Sequence, residues 1–270
     1  MKKLYALLLC LTLLFSLAAC SKEPLRHDDV KQQYNVPATE AKTTLTNRQL
    51  QILATQGLPA DYDELTANQK VTLESIETFL DYLDIKYGVP FKFQEYTPAS
   101  KTEKEQIKVT TTLNNRVQTV TVARVIKEDK FIYSDNYLNI VATPDYEELM
   151  NGYFKTVIDP EYFRLFSDVE KVTGEYDKDE ILKNTAGTTV LFIGSSGCGD
   201  TEKLEQIIDL FVVWVKNQGL KTDCRVEFCL VDDERLADVS SFNYANVLTA
   251  DLVKDRVTCL IDRSGSVVIE

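Results

Sequence analysis

The opening run of the chain decides how much of it is left to fold. Met1, Lys2 and Lys3 precede sixteen uncharged residues, Leu4 to Ala19, and the run stops at Leu17-Ala18-Ala19-Cys20. A basic start, an apolar middle and a small-residue end are the three parts of an export signal. A membrane-spanning helix needs about 20 apolar residues, so the run reads as a removable signal, and no later stretch is a better candidate for a span. Residues 1–19 are assigned to this signal, Cys10 is discarded with it, and the folded structure must come from the residues beyond Ala19.

Leu17-Ala18-Ala19-Cys20 resembles the lipobox of bacterial lipoproteins. The resemblance implies cleavage just before Cys20 and a diacylglyceryl group, palmitate-like in its chains, on the Cys20 thiol. Two acyl chains at about 0.8 kcal/mol per buried CH₂ anchor stably where one does not. The expected location is therefore the cell membrane, lipid-anchored and facing the extracytoplasmic side, with the membrane itself as a partner through the anchor. Residues 20–45 then carry the anchor and a polar tether with prolines at 24 and 37. Too few apolar residues lie here to order the segment, and its reach is about 25–30 Å.

Removing Lys2 and Lys3 leaves 28 basic residues against 42 acidic ones, a formal net charge of −14. Such a chain repels nucleic acid and anionic lipid head groups, so no nucleic-acid partner is expected. The single histidine, His27, falls in the tether. Ser-His-Asp and Cys-His nucleophile systems and histidine metal sites need an imidazole in the folded part, so none of these is expected, nor is any cofactor or metal.

The fold class is read as α+β. A short helix over about 46–56 breaks at Gly57-Leu58-Pro59, and a longer one over 66–87 places Val71, Ile76, Phe79, Leu80, Leu83 and Tyr87 on one face before Gly88 and Pro90. The period then changes to two. Phe91 and Phe93, the alternation from Ile107 to Leu113, Val117 to Ile126 and Lys130 to Ser134, with turns at Asn114-Asn115 and Glu128-Asp129, predict an antiparallel meander of four strands on the preceding helix. Thr143-Pro144-Asp145 then predicts a helix with Thr143 as its cap and Pro144 in its first turn, running to about Lys155. These elements make a first domain over 46–165.

A second domain, 166–270, is read as β-α-β-α-β-β: a strand over 188–193, a helix from Asp200 to Gln218 closed by Gly219, a strand over 224–231, helical turns over 243–254, and strands over 257–262 and 267–269. The 200–218 helix is apolar nearly all round, which predicts cover on more than one side. Lys86-Tyr87-Gly88 and Tyr133-Ser134-Asp135-Asn136-Tyr137-Leu138, in the first domain, resemble a group of poorly characterised lipoproteins of low-GC Gram-positive bacteria over roughly residues 70–155. That resemblance implies no activity.

Gly194 to Thr201 nearly spells a phosphate loop between a strand and a helix, with Asp200 where the lysine belongs. A carboxylate there repels phosphate, so a glycine-rich turn is the better reading. Val190 to Ile193 leading to Cys198 at a helix start also resembles a thioredoxin-like beginning, which implies a thiol of lowered pKa. Cys198-Gly199-Asp200-Thr201 lacks the second cysteine of C-x-x-C, Val257 stands at the cis-proline position of that family, and the chain ends before its last helix. Beyond Cys20, four cysteines remain: Cys198, Cys224, Cys229 and Cys259. In an exported chain they are expected to pair. Cys224 and Cys229 point to opposite sides of one strand and cannot pair with each other while it is regular; with the first two strands parallel, Cys198 and Cys229 both lie towards their C-terminal ends, so Cys198 with Cys229 and Cys224 with Cys259 are the expected disulfides. The acidic clusters Asp177-Lys178-Asp179-Glu180 and Asp232-Asp233-Glu234 lack the spacing of a calcium loop and read as solvated turns.

Two functions survive these exclusions. The first is a non-enzymatic binding or envelope-associated protein with another envelope or secreted protein as partner. The second is a thiol-dependent oxidoreductase or chaperone using Cys198.

Overall fold

The computed structural model describes residues 45–270 apart from 129, 175, 250 and 251; the export signal, Cys20, His27 and the tether lie outside the described residues. The architecture is α+β, with the described chain divided between two compact units: 45–89 with Val125–Ile132, and Pro90–Arg124 with Tyr133–Glu270.

The first unit holds helices α1 (Asn47–Gln56) and α2 (Ala67–Tyr87). Each begins with a capping box. The Thr46 hydroxyl accepts from the Gln49 amide and the Gln49 side chain accepts from the Thr46 amide, and Thr66 and Gln69 repeat the arrangement. Each ends on a left-handed glycine, Gly57 and Gly88. Arg48 in the first turn of α1 faces Glu77, Asp81 and Asp84, which recur at helical spacing along α2. Ile76, Phe79, Leu80 and Leu83 are buried as the periodicity predicts, whereas Val71 is exposed and Leu73 and Tyr82 take buried places.

The second unit contains most of a four-stranded sheet in the order β1 (Lys92–Thr97), β2 (Glu105–Leu113), β3 (Arg116–Lys127), β4 (Lys130–Asp135). The tip of the β3–β4 hairpin belongs to the first unit. Asn114 and Asn115, both at positive φ, close the β2–β3 hairpin with Leu113 opposite Arg116. At the far end of that hairpin Glu105 faces Arg124. The carboxylate receives Nε at 2.6 Å and Nη2 at 2.8 Å, and the Tyr96 hydroxyl donates to it at 2.7 Å.

Helix α3 (Tyr137–Phe154) starts two turns earlier than the Thr143 cap predicts, and Pro144 lies inside it. Thr143 is instead a clamp. Its hydroxyl donates to the Asn139 carbonyl and accepts the Val169 amide, tying the helix to a strand that the sequence reading lacks, β5 (Phe163–Val172). A bulge between Val169 and Lys171 breaks the period-two pattern there.

After the short helix α4 (Ile181–Asn184) come β6 (Thr185–Gly194), the single turn α5 (Ser195–Cys198), α6 (Thr201–Asn217), β7 (Cys224–Val231), α7 (Asp233–Asp238), α8 (Tyr244–Thr249), β8 (Asp255–Ile261) and β9 (Val267–Ile269). The expected β-α-β-α-β-β order is present, with β5 added at the edge. The sheet runs β5-β6-β7-β8-β9, parallel only between β6 and β7.

Successive residues of β6 serve opposite layers, as the pleat requires. Leu191 and Ile193 meet Tyr146, Met150 and Phe154 of α3 and Ile207, Phe211 and Val215 of α6, while Val190 and Phe192 meet Leu236 and Val247 of α7 and α8. The boundary expected at residue 165 therefore does not divide the chain into compact units, because α3 supplies the core beneath the sheet that comes after it. Close fit is visible at Gly187, where a Cβ would lie 2.8 Å from the buried Tyr146 ring. Helix α6 is covered on one side only, since Leu210 and Val213 are 54% and 58% exposed. Among the described residues no helix is long and apolar enough to cross a membrane.

Candidate functional site

Three segments of the second unit enclose a groove of about 800 Å³. Helix α3 contributes the stripe Asp145, Glu148, Leu149, Gly152 and Tyr153, and the turn after it Thr156; the turn before and through α4 contributes residues 178–183; the last turn of α6 and its C-cap contribute Trp214 and Gln218. The size is that of a small-ligand site.

The aromatic part of the wall is a stacked pair. Tyr153 and Trp214 lie 4.2 Å apart between ring centroids at 16°, and Tyr153 also contacts Phe211 and Phe154. The Tyr153 hydroxyl is shielded from solvent and has no hydrogen-bond partner among the described residues. Burial pushes its pKa up to about 12, so it is a neutral phenol at any physiological pH. A shielded hydroxyl left without a partner costs about 1–3 kcal/mol.

The rim is ionic. The Tyr176 hydroxyl donates to Asp145, and the Lys178 ammonium bridges Asp145 at 3.0 Å and Glu148 at 3.3 Å. The Tyr176 bond, with help from Lys178, holds the Asp145 carboxyl below its ordinary range; burial and that same bond push Tyr176 up to about 12. Lys183 pairs with Glu180 at 2.7 Å and lowers it. Four carboxylates, Asp145, Glu148, Asp179 and Glu180, thus share the lining with two ammonium groups. This arrangement can hold and orient a ligand.

The residues singled out in the sequence lie elsewhere. Cys198 ends the single turn α5 with its side chain in the core, and its Sγ donates to the Asp200 carbonyl at 3.3 Å. Burial raises the thiol, the Asp200 carboxylate adds to this and Lys203 opposes it; the lowered pKa implied by a helix start is not found. The phosphate-loop look-alike is filled by the protein itself. The Ser196 amide donates to the Asp233 carboxylate at 3.0 Å and the Ser196 hydroxyl donates to it as well, which lowers the Asp233 pKa. A Cβ at Gly194 would lie 2.4 Å from that carboxylate. Asp200 serves as the N-cap of α6, accepting the Lys203 amide at 2.9 Å.

All four cysteines are free and buried, so the expected disulfides are not formed. Cys198 lies in the layer of α3 and α6, whereas Cys229 faces α7 and α8 on the other side of the sheet. Cys224 and Cys259 do share a face, but Cys259 pairs with Val226, one diagonal step away. Burial raises Cys224 and Cys229 to about 12 and Cys259 to about 11.

Of the acidic clusters, Asp232 pairs with Lys254 and Asp233 fills the loop. Asp177 caps a 3₁₀ turn, and the neighbouring Lys178, Asp179 and Glu180 line the groove. Sequence reasoning missed the groove. The signal that could have found it is the single tryptophan of the chain, Trp214, one helical turn before Gln218.

No family model matches this chain, and no curated protein matches it. Among solved structures, a DUF5037 family protein from Ruminococcus gnavus ATCC 29149 is similar at 13% identity and a TM-score of 0.36, over 70% of this chain and 92% of that one.

Proposed function

We propose that the chain is a membrane-anchored extracytoplasmic lipoprotein that binds another envelope or secreted component without transforming it, and that the groove beside Trp214 is where it binds. The observation that carries the reading is a ligand-sized groove walled by the stacked Tyr153 and Trp214 rings and rimmed by four carboxylates and two ammonium groups. Cys20 and the polar tether supply the anchoring half, on the strength of the Leu17-Ala18-Ala19-Cys20 motif. Thiol chemistry at Cys198 receives no comparable support, because the thiol is buried and its pKa is raised.

A photo-crosslinking residue at Gln218, in the full anchored chain on intact cells, tests the binding half. A discrete adduct is expected, lost on Trp214→Ala and absent when the crosslinker is moved to exposed Glu103. Equal labelling from both positions overturns the groove. For the anchoring half, growth with a radiolabelled fatty acid is expected to label the protein and the label to be lost on Cys20→Ser; a wild type that takes up no label refutes the anchor.

A further inference from the structure

We infer that the groove takes a guanidinium or ammonium group carried by a basic segment of the partner. This rests on the binding role proposed above and adds the chemistry of the ligand. Two features of the lining point to a cation.

Charge is the first. The carboxylates outnumber the ammonium groups by four to two, and Lys178 is already bridged between Asp145 and Glu148. An incoming anion would have to break that bridge, whereas an incoming cation meets uncompensated negative charge. The mature chain, at −14, adds a general attraction for basic partners. The aromatic pair is the second. Stacked Trp214 and Tyr153 give the groove the ring surface on which guanidinium and ammonium groups settle, Trp being the best of the aromatic partners. Leu149 and Ile181 supply apolar wall for the aliphatic stem of such a side chain.

Trp214 is the only tryptophan, so its fluorescence reports on this groove alone. The full mature chain, held in nonionic detergent micelles, is titrated with an acetylated and amidated diarginine peptide, its dicitrulline counterpart and an N-acetylglucosamine trimer. The diarginine peptide is expected to shift the emission saturably. Citrulline keeps the shape and loses the charge, and is expected to bind at least about tenfold more weakly. Tyr153→Leu removes the ring stacked on Trp214 and is expected to weaken binding about threefold. Glu148→Gln weakens binding, while Glu103→Gln, an equal charge change at an exposed residue outside the lining, leaves it unaltered.

Equal binding of the citrulline peptide, or a shift with the saccharide and none with arginine, overturns the cationic ligand while leaving the groove as a binding site. Equal losses from Glu148→Gln and Glu103→Gln overturn it too, by showing attraction to the whole surface. Absence of any shift up to millimolar peptide also overturns it, and the crosslink from Gln218 then decides independently whether the groove binds anything.

Discussion

Glu105 and Arg124 show how a single pair fixes a hairpin end. The Arg124 side chain is 6% exposed and that of Glu105 15%. Burial works against the Arg124 charge, and its bonds to Glu105 more than restore it. Removing one partner strands the other in a place water does not reach. Glu105→Gln is therefore expected to destabilise the fold by about 2–3 kcal/mol, read as a lower urea midpoint at unchanged slope; a change below about 0.5 kcal/mol would show that the pair is solvated in practice. Tyr176 offers the pH-dependent counterpart. Because the folded-state pKa of Asp145 lies below its unfolded value, the contribution is present above the ordinary carboxylate range and disappears as pH falls through the folded value. Tyr176→Phe should lower stability at pH 7, and its deficit against the wild type should shrink toward pH 3. A deficit of equal size at both pH values contradicts the assignment.

At the scale of elements, most of what the sequence announced was local. The helix stops at Gly57 and Gly88, the helix start at Asp200 and the Asn114-Asn115 turn are each written in a few adjacent residues, and each is found. What escaped depends on distant partners. Strand β5 is disguised by its bulge and exists because β6 offers it an edge. The start of α3 was misplaced because Thr143-Pro144-Asp145 has the grammar of a helix beginning, yet Tyr137 to Thr143 are already helical ahead of it. The groove is hidden for the same reason: its walls come from three segments that only the folded sheet brings together. Pro144 leaves a missing amide inside α3, so Pro144→Ala, by restoring it, is expected to stabilise the protein by about 1 kcal/mol, less than the full helix penalty because proline also restricts the unfolded chain. Thermal melts of the two proteins decide this, and a lower midpoint for the alanine variant would mean that Pro144 itself is needed for the clamp between Thr143 and Val169.

For the molecule as a whole, the cysteines separate composition from structure. An even number of them in an exported chain reads as a disulfide framework, but here the sheet distributes them over two faces and seals them in the core. Unfolded in denaturant without reductant, the chain is expected to show all four thiols to a chromogenic disulfide reagent. When folded it should react far more slowly, since thiols raised to about 11–12 are scarcely ionised at pH 8. Fewer than four thiols in the unfolded chain would restore a cross-link. The loop at Gly194 carries a consequence of another kind. Asp233 sits on the amide that a phosphate would seek, and it is covalently attached. A group tethered at short range acts as if present at millimolar concentration or more, and it never diffuses away. The chain is in this sense its own competitive antagonist: free anions would have to outnumber a ligand that cannot be washed out.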